Sequence, residues 1–187
     1  MKNHGDPSTL HWFRRPNMFL LGEDHVVIET EANTSFHSLA FDSTNAHGMV
    51  LDPMCNFGFT VRVDYRFSAP EDECGVLLKR HNNHWAKAGI ECRTDELDLA
   101  CTLYSKGYGD RSCRQISDGI RWMYFRILYW NGNARFQYSF NGGKFSDMRW
   151  FHFGPGNEPV TAGIYACSGK DAYFDCTFSQ FKVQKIE

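Results

Sequence analysis

A chain of 187 residues fits a single domain, and its 42% hydrophobic and 16% aromatic residues suffice for a sizeable core in which pleated strands are favoured over helices. A formal net charge of −2 gives no electrostatic reason to expect nucleic acid or an anionic membrane as a partner. No stretch approaches the roughly 20 apolar residues of a membrane span, and the first residues lack the apolar core of a signal peptide, so we expect a cytoplasmic protein.

The first residues are polar, and the β-rich runs begin only after them. Residues 1–9 predict a flexible lead-in, and we expect residues 10–187 to form one domain. Short strand-like runs follow, and residues 57–67 alternate strictly between apolar and polar side chains. This segment predicts a strand with one buried side and one solvated side.

Residues 75–92 predict the hairpin around which the chain is organised. Its second strand reads HWAKAGIEC, and successive side chains of a strand point to opposite faces. Trp85, Lys87 and Glu91 therefore share one side, and the other side is small and apolar. An indole, an ammonium and a carboxylate on one face form a candidate ligand-binding surface.

The loop of this hairpin is predicted at residues 82–83, two asparagines that tolerate positive φ. That loop would place Arg80 opposite Trp85 and Leu78 opposite Lys87. A guanidinium beside an indole allows a cation–π contact. We therefore add Arg80 to the candidate surface.

The second half of the chain contains a better specified hairpin. Residues 97–104 predict a strand, and the glycine-rich and charged residues 106–114 predict a long loop. The Asn-Gly pair at 131–132 is the strongest short-range hairpin signal, and it predicts Ile127 opposite Phe136.

No window of useful length shows helical periodicity, and the last strand-like runs are 145–153, 160–167 and 172–183. About a dozen short strands with turns between them predict an all-β fold, an antiparallel β-sandwich or jelly roll.

Seven segments of the chain form a recognisable series: WFRRP at 12–16, GVLLKRHNNHWAKAGIEC at 75–92, LACTLYS at 99–105, YSFNGGKF at 138–145, MRWFHF at 148–153, GIYACSG at 163–169 and the closing Phe178 and Phe181. Taken in order, they resemble the regulation-of-enolase family, a family of concanavalin A-like domains of unknown function. The resemblance implies a lectin or glucanase type of jelly roll, in which one sheet face often binds glycans, and it implies no established reaction.

The chain departs from the family pattern in two places. Lys79 stands where the family tends to have arginine, and residues 105–108 replace a turn that contains tryptophan. The resemblance therefore implies no ligand contact through those two groups in this chain.

The seven cysteines are odd in number and contain no C-x-x-C pair. We expect reduced cysteines that act as small hydrophobic residues, with disulfides or a metal site as the alternatives. His81 and His84 have H-x-x-H spacing but no matching second pair. We therefore predict no metal ligand and no cofactor.

A glycoside hydrolase or lyase is the alternative to a binding module. A retaining glucanase needs two carboxylates about 5 Å apart, and the nearest pattern here has Glu96 and Asp98 but cysteine at the third position, Cys101. We expect Glu96 and Asp98 to be solvated at a turn over residues 94–96. No G-x-S-x-G motif is present either.

The interpretation we favour is a non-catalytic module that binds a glycan or a protein partner such as a metabolic enzyme. The candidate ligand-binding residues are Trp85, Lys87, Glu91, Arg80, Arg126 and Arg149. Arg62, Arg66, Tyr124 and Trp130 would extend the same lining if their strands share a sheet with Trp85. The competing interpretation is a purely structural cross-strand cluster, with Lys87 and Glu91 paired to Arg126 or Arg149.

Overall fold

The structure is a computed structural model, and it describes residues 6–36, 41–94 and 96–187. Two antiparallel sheets of seven strands each account for nearly all of the regular structure. The strands are β1 (His11–Arg14), β2 (Phe19–Leu21), β3 (His25–Glu29), β4 (His47–Val50), β5 (Phe57–Tyr65), β6 (Asp72–His81), β7 (His84–Cys92), β8 (Leu97–Ser105), β9 (Tyr108–Ile116), β10 (Trp122–Trp130), β11 (Asn133–Ser139), β12 (Ser146–His152), β13 (Thr161–Ser168) and β14 (Asp175–Lys185).

The first sheet, sheet I, has the strand order β1-β4-β13-β6-β7-β8-β9, and the second, sheet II, has the order β12-β11-β10-β5-β14-β3-β2. The main core lies between them. It takes the small apolar face of β7 from sheet I and the alternating apolar residues of β5 and β10 from sheet II. The predicted all-β antiparallel sandwich is confirmed.

The lead-in is described only in part, because residues 1–5 lie outside the described residues. Residues Pro7–Thr9 form a 3₁₀ turn whose first amide groups are capped by Asp6, which accepts a 2.8 Å hydrogen bond from the amide of Ser8. The domain boundary at residue 10 stays a prediction.

The Asn-Gly hairpin has the predicted register. Asn131 and Gly132 both have positive φ, 47° and 76°, as a two-residue loop of this kind requires. Ile127 lies opposite Phe136, and the other pairs of β10 and β11 follow from it.

Two details of sheet I differ from the predictions. Residues 106–114 are not a long loop: a tight turn at residues 106–107 leads into β9, an edge strand that pairs only with β8. Nearly every residue of β9 is exposed, so its sequence has no apolar alternation from which to predict it. In the central hairpin, a register shift at Arg80 places Lys79 opposite Trp85. The register predicted for Arg80 and Leu78 was therefore wrong by one residue.

All seven cysteines are free thiols: Cys74, Cys101, Cys167 and Cys176 are buried, Cys92 is partly buried, and Cys55 and Cys113 are exposed. Within residues 6–36, 41–94 and 96–187, no group of three or more histidine, cysteine or acidic side chains could hold a metal ion. The same residues include no helix long and apolar enough to span a membrane.

Candidate functional site

The outer face of sheet I, which carries Trp85 and Lys87, is covered. A second apolar cluster lies on this face, and Phe36, from the segment between β3 and β4, packs at its centre with none of its surface exposed. The Phe36 ring lies 4.9 Å from the indole of Trp85 and 5.1 Å from the ring of Tyr165. Trp85 and Lys87 expose only 2% and 3% of their surface, so neither is available to a ligand in this conformation.

Lys87 is neutralised where it is buried. Its Nζ atom lies 2.7 Å from both carboxylate oxygens of Glu73 on the neighbouring strand β6. The hydroxyl of Tyr165 donates to Oε1 of the same carboxylate at 2.5 Å. Burial, followed by the charge of Glu73, raises the pKa of Tyr165 well above its usual range, which keeps this hydroxyl a donor. In the structure, Lys87 of the HWAKAGIEC strand therefore belongs to a buried ion pair.

Glu91 is also buried, with 6% of its surface exposed, and it contacts two guanidinium groups. Its Oε2 atom lies 2.5 Å from Nη2 of Arg111, and its Oε1 atom 3.5 Å from Nη2 of Arg93. Arg93 also reaches Asp98, which lies opposite Glu91 on β8. Asp98 is buried and paired, not solvated as predicted. The predicted turn includes Asp95, which lies outside the described residues.

The remaining candidates lie in other parts of the molecule. Arg80, at the end of β6, pairs with Glu158. Arg149, on β12, reaches across to β9 and pairs with Asp110 at 2.5 Å. Arg126 lies on sheet II. The six predicted residues are thus not brought together on one surface.

The outer face of sheet II is open, and it collects the aromatic and basic residues. We define the platform as the outward side chains of β5, β10, β11 and β12, together with Phe145 and with Lys182 of β14, which lies opposite Thr60. The outward strand residues are Thr60, Arg62, Asp64, Trp122, Tyr124, Arg126, Leu128, Trp130, Asn133, Arg135, Gln137, Ser139, Asp147, Trp150 and His152.

Two of the platform tryptophans are strongly exposed. Trp150 exposes 72% and Trp130 exposes 50% of its surface. Trp150 lies opposite Arg135, which in turn lies opposite Leu128, so this row of the sheet presents an indole, a guanidinium and an aliphatic side chain. Exposed tryptophans on a regular sheet face are typical of a binding surface.

Guanidinium groups stack on aromatic rings at three places on the platform. The guanidinium carbon of Arg62 lies 4.2 Å from the ring centre of Trp122, that of Arg126 3.5 Å from Phe145, and that of Arg135 5.8 Å from Trp150. Such stacking orders long side chains while leaving their nitrogen atoms free to donate.

The platform carboxylates are held by the arginines. Arg62 donates to Asp64 through two nitrogens at 2.7 and 2.8 Å. Arg135 donates to Asp147 through two nitrogens at 2.6 Å, and Gln137 adds a third bond at 2.9 Å. The hydrogen bonds from Arg135 and Gln137 lower the pKa of Asp147, so this carboxylate is a poor proton donor near neutral pH.

A cavity of about 740 Å³ opens elsewhere, between the ends of β5 and β7 and the loop that precedes β10. Apolar residues line it together with arginines and two acidic residues; the charged residues are Arg66, Arg93, Glu96, Asp118 and Arg121. Arg66 therefore belongs to this cavity and not to the platform. Glu96, one of the two acids considered for hydrolysis, lines this cavity, whereas the other, Asp98, is bound by Arg93.

Part of the platform was predictable and part was not. The register predicted from the Asn-Gly loop is the one that places Arg126 and Trp130 on one side of β10. Trp150 was missed as a site residue, because the register of β12 shifts next to Phe136 and the face of each side chain cannot be read by simple alternation.

The family model described as "Protein of unknown function (DUF1349)" matches residues 12–186 of the chain. "Regulation of enolase protein 1" from Saccharomyces cerevisiae is 24% identical over 175 residues, which cover 92% of this chain and 87% of that protein.

Solved structures share the fold at low sequence identity. A protein of unknown function from Saccharomyces cerevisiae is similar with a TM-score of 0.88 and 23% identity, covering 98% of this chain and all of that one. A GH43 protein, BlXynB, from Bacillus licheniformis gives 0.77 and 15%, with 99% of this chain matching 38% of that one. A legume lectin-like domain from Entamoeba histolytica gives 0.62 and 11%, covering 100% and 96% of the two chains.

Proposed function

The chain belongs to the family described as Protein of unknown function (DUF1349), and on that premise we propose that it is a non-catalytic module that binds carbohydrate on the platform. The observation that supports this most directly is the exposure of Trp150 and Trp130 on an otherwise regular sheet face. Indole rings stack on the apolar C–H faces of sugars, while ordered arginines and carboxylates supply hydrogen bonds to hydroxyl groups.

The distribution of charge supports a module without catalysis. Glu91 and the two platform carboxylates are all paired: Glu91 with two arginines, and Asp64 and Asp147 each with one. A glycosidase needs one carboxyl group that donates a proton and a second that acts as base or nucleophile, and a carboxylate in a two-pronged arginine contact suits neither role well. We therefore expect no turnover of chromogenic glycosides by the intact protein.

The test is a glycan array probed with the wild-type protein and with Trp150→Ala. Loss of one stacked indole is worth about 1 kcal/mol, so we expect the dissociation constant of any bound glycan to rise roughly 5-fold or more. Tyr173→Ala is the matched control, because Tyr173 is 66% exposed and lies outside the platform. It should leave binding unchanged. Equal loss in both variants, or binding that survives Trp150→Ala, would contradict the proposal.

A protein partner is the second candidate function. The name of the 24% identical relative, "Regulation of enolase protein 1", favours a metabolic enzyme as that partner. Purified enolase passed over the immobilised protein tests this directly. Binding of enolase without any glycan signal would replace the carbohydrate proposal, and a cytoplasmic location would accord with such a partner.

A further inference from the structure

The platform carries more positive than negative charge. Its charged side chains are four cations and two carboxylates, Arg62, Arg126, Arg135 and Lys182 against Asp64 and Asp147. Four minus two gives a formal charge of +2, whereas the whole chain carries −2. Two acids of the same sheet, Glu29 and Asp175, lie opposite each other on β3 and β14, next to the C-terminal end of β5. The excess of cations is thus local to the platform.

Both platform carboxylates are already satisfied by protein donors. Asp64 is bound by Arg62, and Asp147 by Arg135 and Gln137. Within each of these two ion pairs, the positive and the negative charge cancel. The excess therefore resides in Arg126 and Lys182.

Arg126 and Lys182 flank Thr60 in one row of the sheet. Thr60 lies opposite Arg126 on one side and opposite Lys182 on the other. Neighbouring strands are about 4.8 Å apart, so the two cations stand about two strand spacings from each other. A single anionic group above Thr60 would lie between them.

Neither cation has a carboxylate partner within the part of the chain that the structure describes. The guanidinium of Arg126 is covered by the ring of Phe145, and its one protein acceptor is the hydroxyl of Thr60, 3.2 Å from Nε. Burial lowers the pKa of Arg126, which means that its charge is poorly compensated. Lys182 is exposed. An anion would restore the compensation that Arg126 lacks, and the forked guanidinium matches a carboxylate.

Resting on the proposed function, we infer that the carbohydrate is an acidic oligosaccharide, whose uronic carboxylate binds Arg126 and Lys182 above Thr60 while neighbouring sugar rings stack on the platform tryptophans. The inference names the class of glycan by charge complementarity alone. Both side chains lie on the outer face of sheet II, where Lys182 is exposed and Arg126 is half-buried against the ring of Phe145.

The experiment compares two ligands that differ only in charge, a β-1,4-linked glucose oligosaccharide and its C6-oxidised form, in which every glucose is glucuronate. Affinities are measured by calorimetry at low and at high salt. Two surface charge contacts contribute about 1.4 kcal/mol together, so we expect the acidic form to bind roughly tenfold more tightly at low salt. The preference should shrink as salt screens the charges.

Lys182→Gln and Arg126→Gln should each reduce the ratio of acidic-ligand affinity to neutral-ligand affinity about threefold. Lys182 is exposed, so its variant reports on charge even if Arg126→Gln disturbs packing. The control Lys170→Gln removes the same charge from outside the platform, where Lys170 pairs with Glu71, and should leave the preference intact.

The outcomes separate the two proposals. Equal affinity for both ligands, or a preference that Lys182→Gln and Lys170→Gln reduce alike, would overturn the acidic class and leave carbohydrate binding standing. Binding of neither ligand, together with an empty glycan array, would overturn both.

Discussion

Lys87 and Lys170 form ion pairs of the same length in opposite surroundings. Each Nζ lies 2.7 Å from a glutamate oxygen, Glu73 in the first pair and Glu71 in the second. The side chains of the first pair are 3% exposed, and those of the second are more than half exposed. Water screens the second pair, whereas removing one partner of the first would leave a charge in the protein interior.

Lys87→Met should therefore lower the free energy of unfolding by about 3–5 kcal/mol, and Lys170→Met by at most about 1 kcal/mol. Urea denaturation followed by tryptophan fluorescence measures both. The double variant Lys87→Met with Glu73→Leu should recover part of the loss, because no uncompensated charge then remains. Similar losses in the two single variants would show that the Lys87 pair is accessible to water.

Sequence reasoning could not decide between a binding role and a structural role for Lys87. Glu73 precedes it by 14 residues, and Tyr165 follows on β13, which β6 separates from β7 in the sheet. The alternation of β7 correctly separates Lys87 from the core between the sheets, yet it says nothing about what lies above the outer face. That information resides in Phe36, in a segment without strand periodicity.

Among the secondary-structure elements, local sequence signals predicted the hairpins better than the edge strands. The Asn-Gly loop correctly predicted the β10–β11 register. In the β6–β7 hairpin, His81 pairs with His84, but Arg80 is an extra residue that shifts the register of β6. No residue type predicts such a register shift, because the shift depends on how two particular strands fit against each other. Edge strand β9 was not predicted because almost none of its side chains is buried, so its sequence shows no apolar alternation.

Gly132→Ala tests how strongly the Asn-Gly loop is specified. Gly132 has a φ of 76°, and a Cβ atom there would lie 1.9 Å from the carbonyl oxygen of Gly154. Positive φ and this contact each disfavour alanine, so we expect a loss of about 2–3 kcal/mol in the free energy of unfolding. Gly143→Ala is the control, since the nearest atom to its added Cβ is 3.4 Å away. A loss below 1 kcal/mol for Gly132→Ala would mean that the loop adapts.

In the whole molecule, the outer faces of sheet I and sheet II differ in exposure. The outer face of sheet I is covered by residues between β3 and β4, Phe36 and Phe41 among them, and the outer face of sheet II stays open. The sandwich could be predicted because most of the long strands carry their own alternation of apolar and polar residues. Which face remains open could not, because it depends on where an irregular segment packs after both sheets have formed.

The reactivity of the buried cysteine thiols can distinguish the core between the sheets from the covered outer face of sheet I. Cys74 and Cys176 lie in the core between the sheets, and Cys167 lies in the cluster beneath Phe36. Burial raises the pKa of Cys74 and of Cys167 well above the usual range, so neither reacts without an opening that admits water. A cover without strand pairing opens at lower free energy than a sheet core.

Iodoacetamide labelling at pH 8, read by peptide mass spectrometry, should therefore modify the exposed Cys55 and Cys113 first, Cys167 next, and Cys74 with Cys176 last and together. Phe36→Ala should accelerate Cys167 selectively, because it removes the ring that closes the cluster while the core between the sheets keeps its packing. If Cys167 instead keeps pace with Cys74 in both proteins, the cover over sheet I unfolds only with the whole domain, and the closed face is as permanent as the core.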